Sequence, residues 1–282
     1  MAGTTRWCGA VPRTPVRLLV MGRLASVPVA ATPRPTGRTT RSDTPSPTRR
    51  PSSGGRRPAS TAAAASSPPP FTGFPAAALD FYDDLEADNS KTFWEAHKDV
   101  YTSAVRQPMI ALTDALEPEF GPAKVFRPYR DVRFAGDKTP YKTHQGAFVA
   151  VAPATGWYVE ISAPGVRVAG GFYHASSAGI TAVRTAVDGP EGEALAAIVV
   201  KLRRAGWDIG GERLKTAPRG FDADHPRIEL LRHKSLTASR NYGFDEVIHT
   251  ADLLARVRKD WRAVRTLVEW LAPRLEGTAE GR

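Results

Sequence analysis

The sequence predicts an α+β fold, a mostly antiparallel sheet flanked by several helices in a single domain over residues 71–277. Three observations predict it. Apolar residues recur at helical spacing through residues 75–121. The period then changes to two over 146–151, 157–162 and 166–172, three runs joined by linkers short enough for hairpins. Finally, an unbroken i, i+3/i+4 stripe of Leu253, Val257, Trp261, Val264, Val268, Leu271 and Leu275 closes the chain.

The elements follow in order. Pro75 suits a first helical turn, with Ala78, Tyr82 and Leu85 as its apolar face. Asn89 or Ser90 caps a second helix whose stripe runs Phe93, His97, Val100 and Ala104, which makes His97 a core histidine. Pro108 restarts the chain as a third helix with Met109, Leu112, Leu116 and Phe120, closed by Gly121. Pro153-Ala-Thr-Gly156 and Ala163-Pro-Gly165 turn the three strands into antiparallel hairpins. Ser176 or Ser177 caps a helix with Ile180, Val183 and Val187, and another follows through Leu195, Ile198, Val199 and Leu202 to Gly206. Pro218-Arg-Gly220 and His225-Pro226 punctuate a loop, and residues 236–240 form one more strand. Thr250 caps the last helix, whose single stripe is expected to pack on its own sheet rather than to form an oligomer seam.

Charge divides the chain sharply. Residues 1–70 hold eleven arginines, no lysine and one acid, Asp43, a net of +10. The chain has 39 basic and 29 acidic residues, so residues 71–282 keep 28 of each and are neutral. The basic isoelectric point therefore belongs to the tail and does not make the domain a nucleic-acid binder. With 12 of the chain's 24 prolines and no apolar periodicity, the tail is expected to be disordered. It shares its Arg-rich, acid-poor composition with organelle transit peptides, and a nucleic-acid arm would share it too. The favoured reading is simpler. Thirty arginines against nine lysines point to a GC-rich gene, in which a start assigned too far upstream yields such a segment. Cys8, the single cysteine, lies in this tail, so the domain has no disulfide or thiolate chemistry. No run is long enough to cross a membrane, and a cytoplasmic location is expected.

The densest chemistry lies between 124 and 144. Lys124, Arg127, Arg130, Arg133, Lys138 and Lys142 surround two carboxylates, Asp131 and Asp137, with Tyr129, Tyr141 and His144 among them. Guanidinium forks suit a phosphate or carboxylate, so a small anionic ligand is the favoured partner. Lys234, Ser239 and Arg240 on the later strand could complete the cradle, and Arg219 could close it from its loop. His144 and Asp131 are the candidate acid–base residues. Internal pairing is the competing account, with Asp80, Asp83, Asp84, Glu86 and Asp88 of the first helix neutralising the block. A basic face meeting nucleic acid or an acidic protein is the alternative function, less favoured because the domain is neutral.

Other chemistries have little support. The domain's histidines never form HxH or HExxH, leaving only a loose convergence of Asp131, His144, Glu160 and His174 as a metal set, so no metal is expected. Neither a GxSxG elbow, Walker A nor GxGxxG occurs, and no cofactor is expected. Phe172, Tyr173, Trp157 and Tyr158 could stack bases, but paired aromatics on strands more often build a core.

Several ordered motifs carry a resemblance: Asn89-Ser-Lys-Thr-Phe-Trp-Glu-Ala-His97, the blocks 126–134 and 137–144, Gly170-Gly-Phe-Tyr173, Pro218-Arg-Gly-Phe-Asp222 and Lys234-Ser-Leu-Thr-Ala-Ser-Arg240. Together they resemble the conserved hypothetical proteins grouped as domain of unknown function 2461, found mainly in bacteria and sporadically in fungi. The resemblance spans residues 71 to about 275 and leaves the tail outside. It implies one α+β domain and supplies no catalytic residues.

Overall fold

The structure, a computed structural model, describes residues 70–133 and 136–278. The expected disordered tail, with Cys8, lies outside the described residues apart from Pro70, and so does Phe134.

The first helix, α1 (Ala77–Ala87), begins two residues after Pro75 and buries Ala78, Leu79, Phe81, Tyr82 and Leu85. Ser90 caps α2 (Lys91–Val100), its hydroxyl accepting the Phe93 N–H at 3.1 Å. The buried stripe of α2 is rotated by about one residue from the expected one. Trp94 and Tyr101 point inward with Ala104 and Val105, while Val100 is exposed and Phe93 and His97 sit half-buried on the flank. Trp94 takes the core position because an indole withdraws more apolar surface from water than an imidazole. His97 is therefore not a core histidine. Its ring stacks on Phe93, with centroids 4.1 Å apart, and its Nδ1 lies 2.8 Å from the Phe93 carbonyl oxygen.

Pro108 does not interrupt the helix. A wide π-helical segment (Tyr101–Arg106) joins α2 directly to α3 (Gln107–Phe120). There the Gln107 N–H reaches back five residues to the Thr102 carbonyl. The helix is thus already widened where Pro108 lacks an N–H and would crowd the carbonyl four residues earlier. Gly121 ends α3.

Six strands follow: β1 (Ala123–Val125), β2 (His144–Ala152), β3 (Thr155–Ser162), β4 (Gly165–Phe172), β5 (Asp208–Gly210) and β6 (Leu236–Gly243). Their spatial order is β1-β2-β3-β4-β6-β5, with every pair antiparallel. This is an α+β fold. Both central hairpins turn in two residues, since Ala152 pairs with Thr155 and Ser162 with Gly165. Gly165 has φ 111°, and a Cβ there would fall 1.9 Å from the Gly243 carbonyl oxygen, so no other residue fits. The short edge strands β1 and β5 were not expected from the sequence.

Between β4 and β5 lie α4 (Ser177–Asp188), capped by the Ser176 hydroxyl, and α5 (Glu191–Arg204). A one-turn α6 (Ile228–Leu231) precedes β6. The chain ends in α7 (Asp252–Leu275), whose predicted stripe is wholly buried. It packs on the central strands: the Trp157 indole donates to the Trp261 carbonyl at 3.0 Å, and the Trp261 indole donates to the Tyr158 carbonyl at 3.2 Å. Each such large apolar side chain withdrawn from water contributes about 1.5–3 kcal/mol. No described helix is long and apolar enough to cross a membrane.

Candidate functional site

Residues directly opposite in an antiparallel pair share a face, so register sorts the sheet into two surfaces. Ala147, Val159, Val168 and Arg240 form one cross-strand row, and Val149, Trp157, Gly170 and Ala238 form another. Both rows face α7, as the Trp157–Trp261 bond requires. The opposite, open face carries Gly146, Glu160, Arg167 and Asn241 in one row and Phe148, Tyr158, Ala169 and Ser239 in the next, with His144 opposite Ser162 at the end.

The centre of the open face is a polar network. Arg167 Nε donates to Glu160 Oε1 at 2.8 Å, and the Tyr158 hydroxyl donates to Glu160 Oε2 at 2.6 Å. Tyr158 lies flat enough to do so because position 146 is glycine. A Cβ there would stand 2.4 Å from the Tyr158 hydroxyl. Burial alone would raise the Glu160 carboxyl, but the charge and hydrogen bond of Arg167, with His144 and Tyr158, hold it below its ordinary value. His144 is lowered too, which for a base favours the neutral form. Burial lowers its proton affinity, Lys142, Arg167 and Arg130 reinforce this, and Glu160 only partly offsets it. The imidazole is thus neutral near pH 7 and able to accept a proton.

The cationic block borders this face as a ribbon that extends the β1–β2 pairing. The Phe126 N–H donates to the Gly146 carbonyl at 3.0 Å, Lys142 N–H to Pro128 at 2.8 Å and Arg130 N–H to Pro140 at 2.8 Å. Asn89 anchors the ribbon to the α1–α2 corner, bonding both the N–H and the carbonyl of Tyr141. Tyr141 is buried, stacked on Trp94 at 4.3 Å, with Tyr129 beside it and partly exposed. Both tyrosines therefore pack the ribbon in place.

Within the ribbon the cations divide. Arg133 grips both carboxylate oxygens of Asp131, at 2.9 and 2.6 Å. Arg130 pairs with Asp137 at 2.5 Å and with Thr139 at 2.7 Å, and Lys138 donates to the Val132 carbonyl at 3.0 Å. Arg133 pulls the Asp131 carboxyl down to about 2, too acidic to shuttle protons at neutral pH. Internal compensation thus comes from the block's own aspartates. Among the described residues no acid of α1 pairs with it. Lys124, Arg127 and Lys142 have no carboxylate partner among the described residues. Lys142 is half-buried, its ammonium 5.4 Å from the Phe126 ring centroid. Burial, then Arg127, Arg130 and Lys124, lower its proton affinity, so these cations sense one another.

The family model described as Conserved hypothetical protein (DUF2461) matches residues 77–270. The chain belongs to this family. No curated protein and no solved structure matches it.

The family's Lys234–Arg240 segment does not join the block as expected. Adjacent strand residues point to opposite faces, so Ser239 and Arg240 cannot serve one site. Ser239 lies on the open face opposite Ala169 and Asp208. Arg240 faces the helices, pairing with Asp260 at 2.6 Å and lying 4.6 Å from the Trp207 ring centroid. Lys234 pairs with Glu212. Arg219 is exposed in the loop before α6, with no hydrogen bond or ion pair to the block among the described residues. Asp131, His144, Glu160 and His174 do not gather: among the described residues no group of three or more such side chains could hold a metal. Arg167 is the residue that sequence reasoning missed. Its signal was the alternation of Tyr158, Glu160 and Ser162 on β3 with a lone cation between Val166 and Val168.

Proposed function

We propose that the open face binds a compact phosphorylated or carboxylated ligand, held by Lys124, Arg127 and Lys142 with His144 at its border. The observation that carries this reading is Lys142, a half-buried ammonium crowded by Arg127, Arg130 and Lys124 and given no carboxylate of its own among the described residues. Crowded cations repel and lose hydration, and a bound anion relieves both costs. The neutral imidazole of His144 could then donate or accept a hydrogen bond at the ligand, and acid–base work, if the ligand is a substrate, falls to it. The zero net charge of residues 71–282 favours a compact ligand over a long polyanion.

The test is thermal unfolding of the full chain in inorganic phosphate and citrate against chloride at matched ionic strength. Specific binding should stabilise by about 2.7 kcal/mol when the ligand stands a hundredfold above its Kd. Lys142→Met keeps the stem but removes the charge, and should abolish the gain. Equal melting in all three salts, or a gain indifferent to Lys142→Met, would overturn the reading.

A further inference from the structure

Building on this anion-binding reading, we propose that the ligand carries a flat ring beside its phosphate, as a mononucleotide does, and that Tyr173 is the surface on which the ring stacks. Tyr173 directly follows β4 and is 57 % exposed. Its ring meets Phe148 edge-on, with centroids 5.4 Å apart and planes at 85°. That contact fixes the ring's orientation while leaving most of the residue uncovered. Phe148 belongs to the open face, and Lys124 stands directly opposite it across the β1–β2 pairing.

The aromatic pair is therefore continuous with the cationic border. Lys124 lies one strand spacing, about 4.8 Å, from Phe148, and the Tyr173 ring reaches back to within 5.4 Å of the Phe148 ring, so cation and ring are separated by a distance on the order of 10 Å, which a nucleoside monophosphate spans. The row next to Phe148 on this face has no side chain at its two central positions, where Gly156 and Gly171 stand opposite each other. A second link runs through Lys142, whose ammonium lies over Phe126, itself 6.5 Å from the Tyr158 ring. Cations and ring faces thus alternate along one border of the sheet, the combination that phosphate plus a planar base requires.

Equilibrium dialysis of the full chain would use inorganic phosphate, ribose 5-phosphate, and adenosine and uridine 5′-monophosphates. The nucleotides should bind about tenfold more tightly than ribose 5-phosphate, within the range one stacked base contributes. Tyr173→Ala should erase that difference and leave ribose 5-phosphate binding unchanged, while Tyr173→Phe should keep it. Lys142→Met should weaken all four probes. Nucleotide and ribose 5-phosphate binding equally, in a Lys142-dependent manner, would overturn the ring while sparing the anion site. So would a nucleotide preference that survives Tyr173→Ala. Absence of any Lys142-dependent binding would overturn both.

Discussion

The two faces of the sheet each carry an arginine–carboxylate pair, and the pairs differ in what surrounds them. On the helix-covered face, Arg240 meets Asp260, whose side chain is only 5 % exposed. The pair also lines a cleft of about 480 Å³ with Ala255, Arg256 and Lys259. Tyr242 donates to the second Asp260 oxygen at 2.8 Å, Arg240 also reaches the Ala205 carbonyl, and Trp207 covers the guanidinium. On the open face, Arg167 and Glu160 also pair, but on its border lie Lys142, Arg127 and Lys124, which have no carboxylate partner among the described residues. The buried Asp260 carboxylate, held by Arg240 and Tyr242, ties β6 to α7. A charge pair bordered by such cations is where the proposed ligand would sit.

The comparison breaks most visibly at Asp260. Asp260→Ala strands a guanidinium and a tyrosine hydroxyl against α7, and should cost about 3 kcal/mol. For a domain of this size that lowers the melting temperature by roughly 10 °C. It should leave phosphate affinity unchanged once the protein is folded, because no group of the open face is touched. A variant that melts normally would show the covered pair to be dispensable.

A smaller effect is expected at Gly146. Gly146→Ala pushes the Tyr158 hydroxyl from Glu160, and overpacking of this kind costs about 1–3 kcal/mol. Unlike Asp260→Ala, it should also weaken anion binding by disturbing the open face itself. Unchanged affinity in a variant with reduced stability would separate the Tyr158–Glu160–Arg167 network from the ligand site.

The smallest effect is expected from pH. The folded-state proton affinities of His144 and of His233, the latter buried beside Arg213 and Arg203, are lowered first by burial. The unfolded chain then binds more protons than the folded one below the ordinary histidine value near 6.5. Stability should therefore be full above that pH and fall as pH drops through 6.5 toward the lowered folded values. Melting curves between pH 8 and 5 would show this, and His144→Gln should flatten the open-face share while leaving that of His233. A curve unchanged by His144→Gln would mean that its imidazole titrates normally.

Much of this architecture was legible because it rests on local period. The alternation on β2, β3 and β4 and the α7 stripe each announce which residues must leave water, and short linkers allow only antiparallel return. Local period was less informative where two apolar phases competed. On α2, Phe93 and Trp94 both offered a stripe, and only the packing of Trp94 against Tyr141 and Tyr101 decided between them. The continuity through Pro108 likewise depended on a π-helical widening that no residue type signals by itself.

By itself, then, the sequence determined the antiparallel core, its helices and the position of a cation-rich ribbon. It also implied that Ser239 and Arg240 point apart, since strand neighbours always do. Only the tertiary structure decided which of them faces α7, because that depends on the register in which β6 pairs with β4. Nor could chain order reveal that Asp131 and Asp137 each take one arginine of their own ribbon, or that Arg167 crosses to Glu160. The three-residue strands β1 and β5 are too short to show a period and exist through the partners they pair with. Period is a property of neighbours in sequence, whereas charge compensation is a property of neighbours in space.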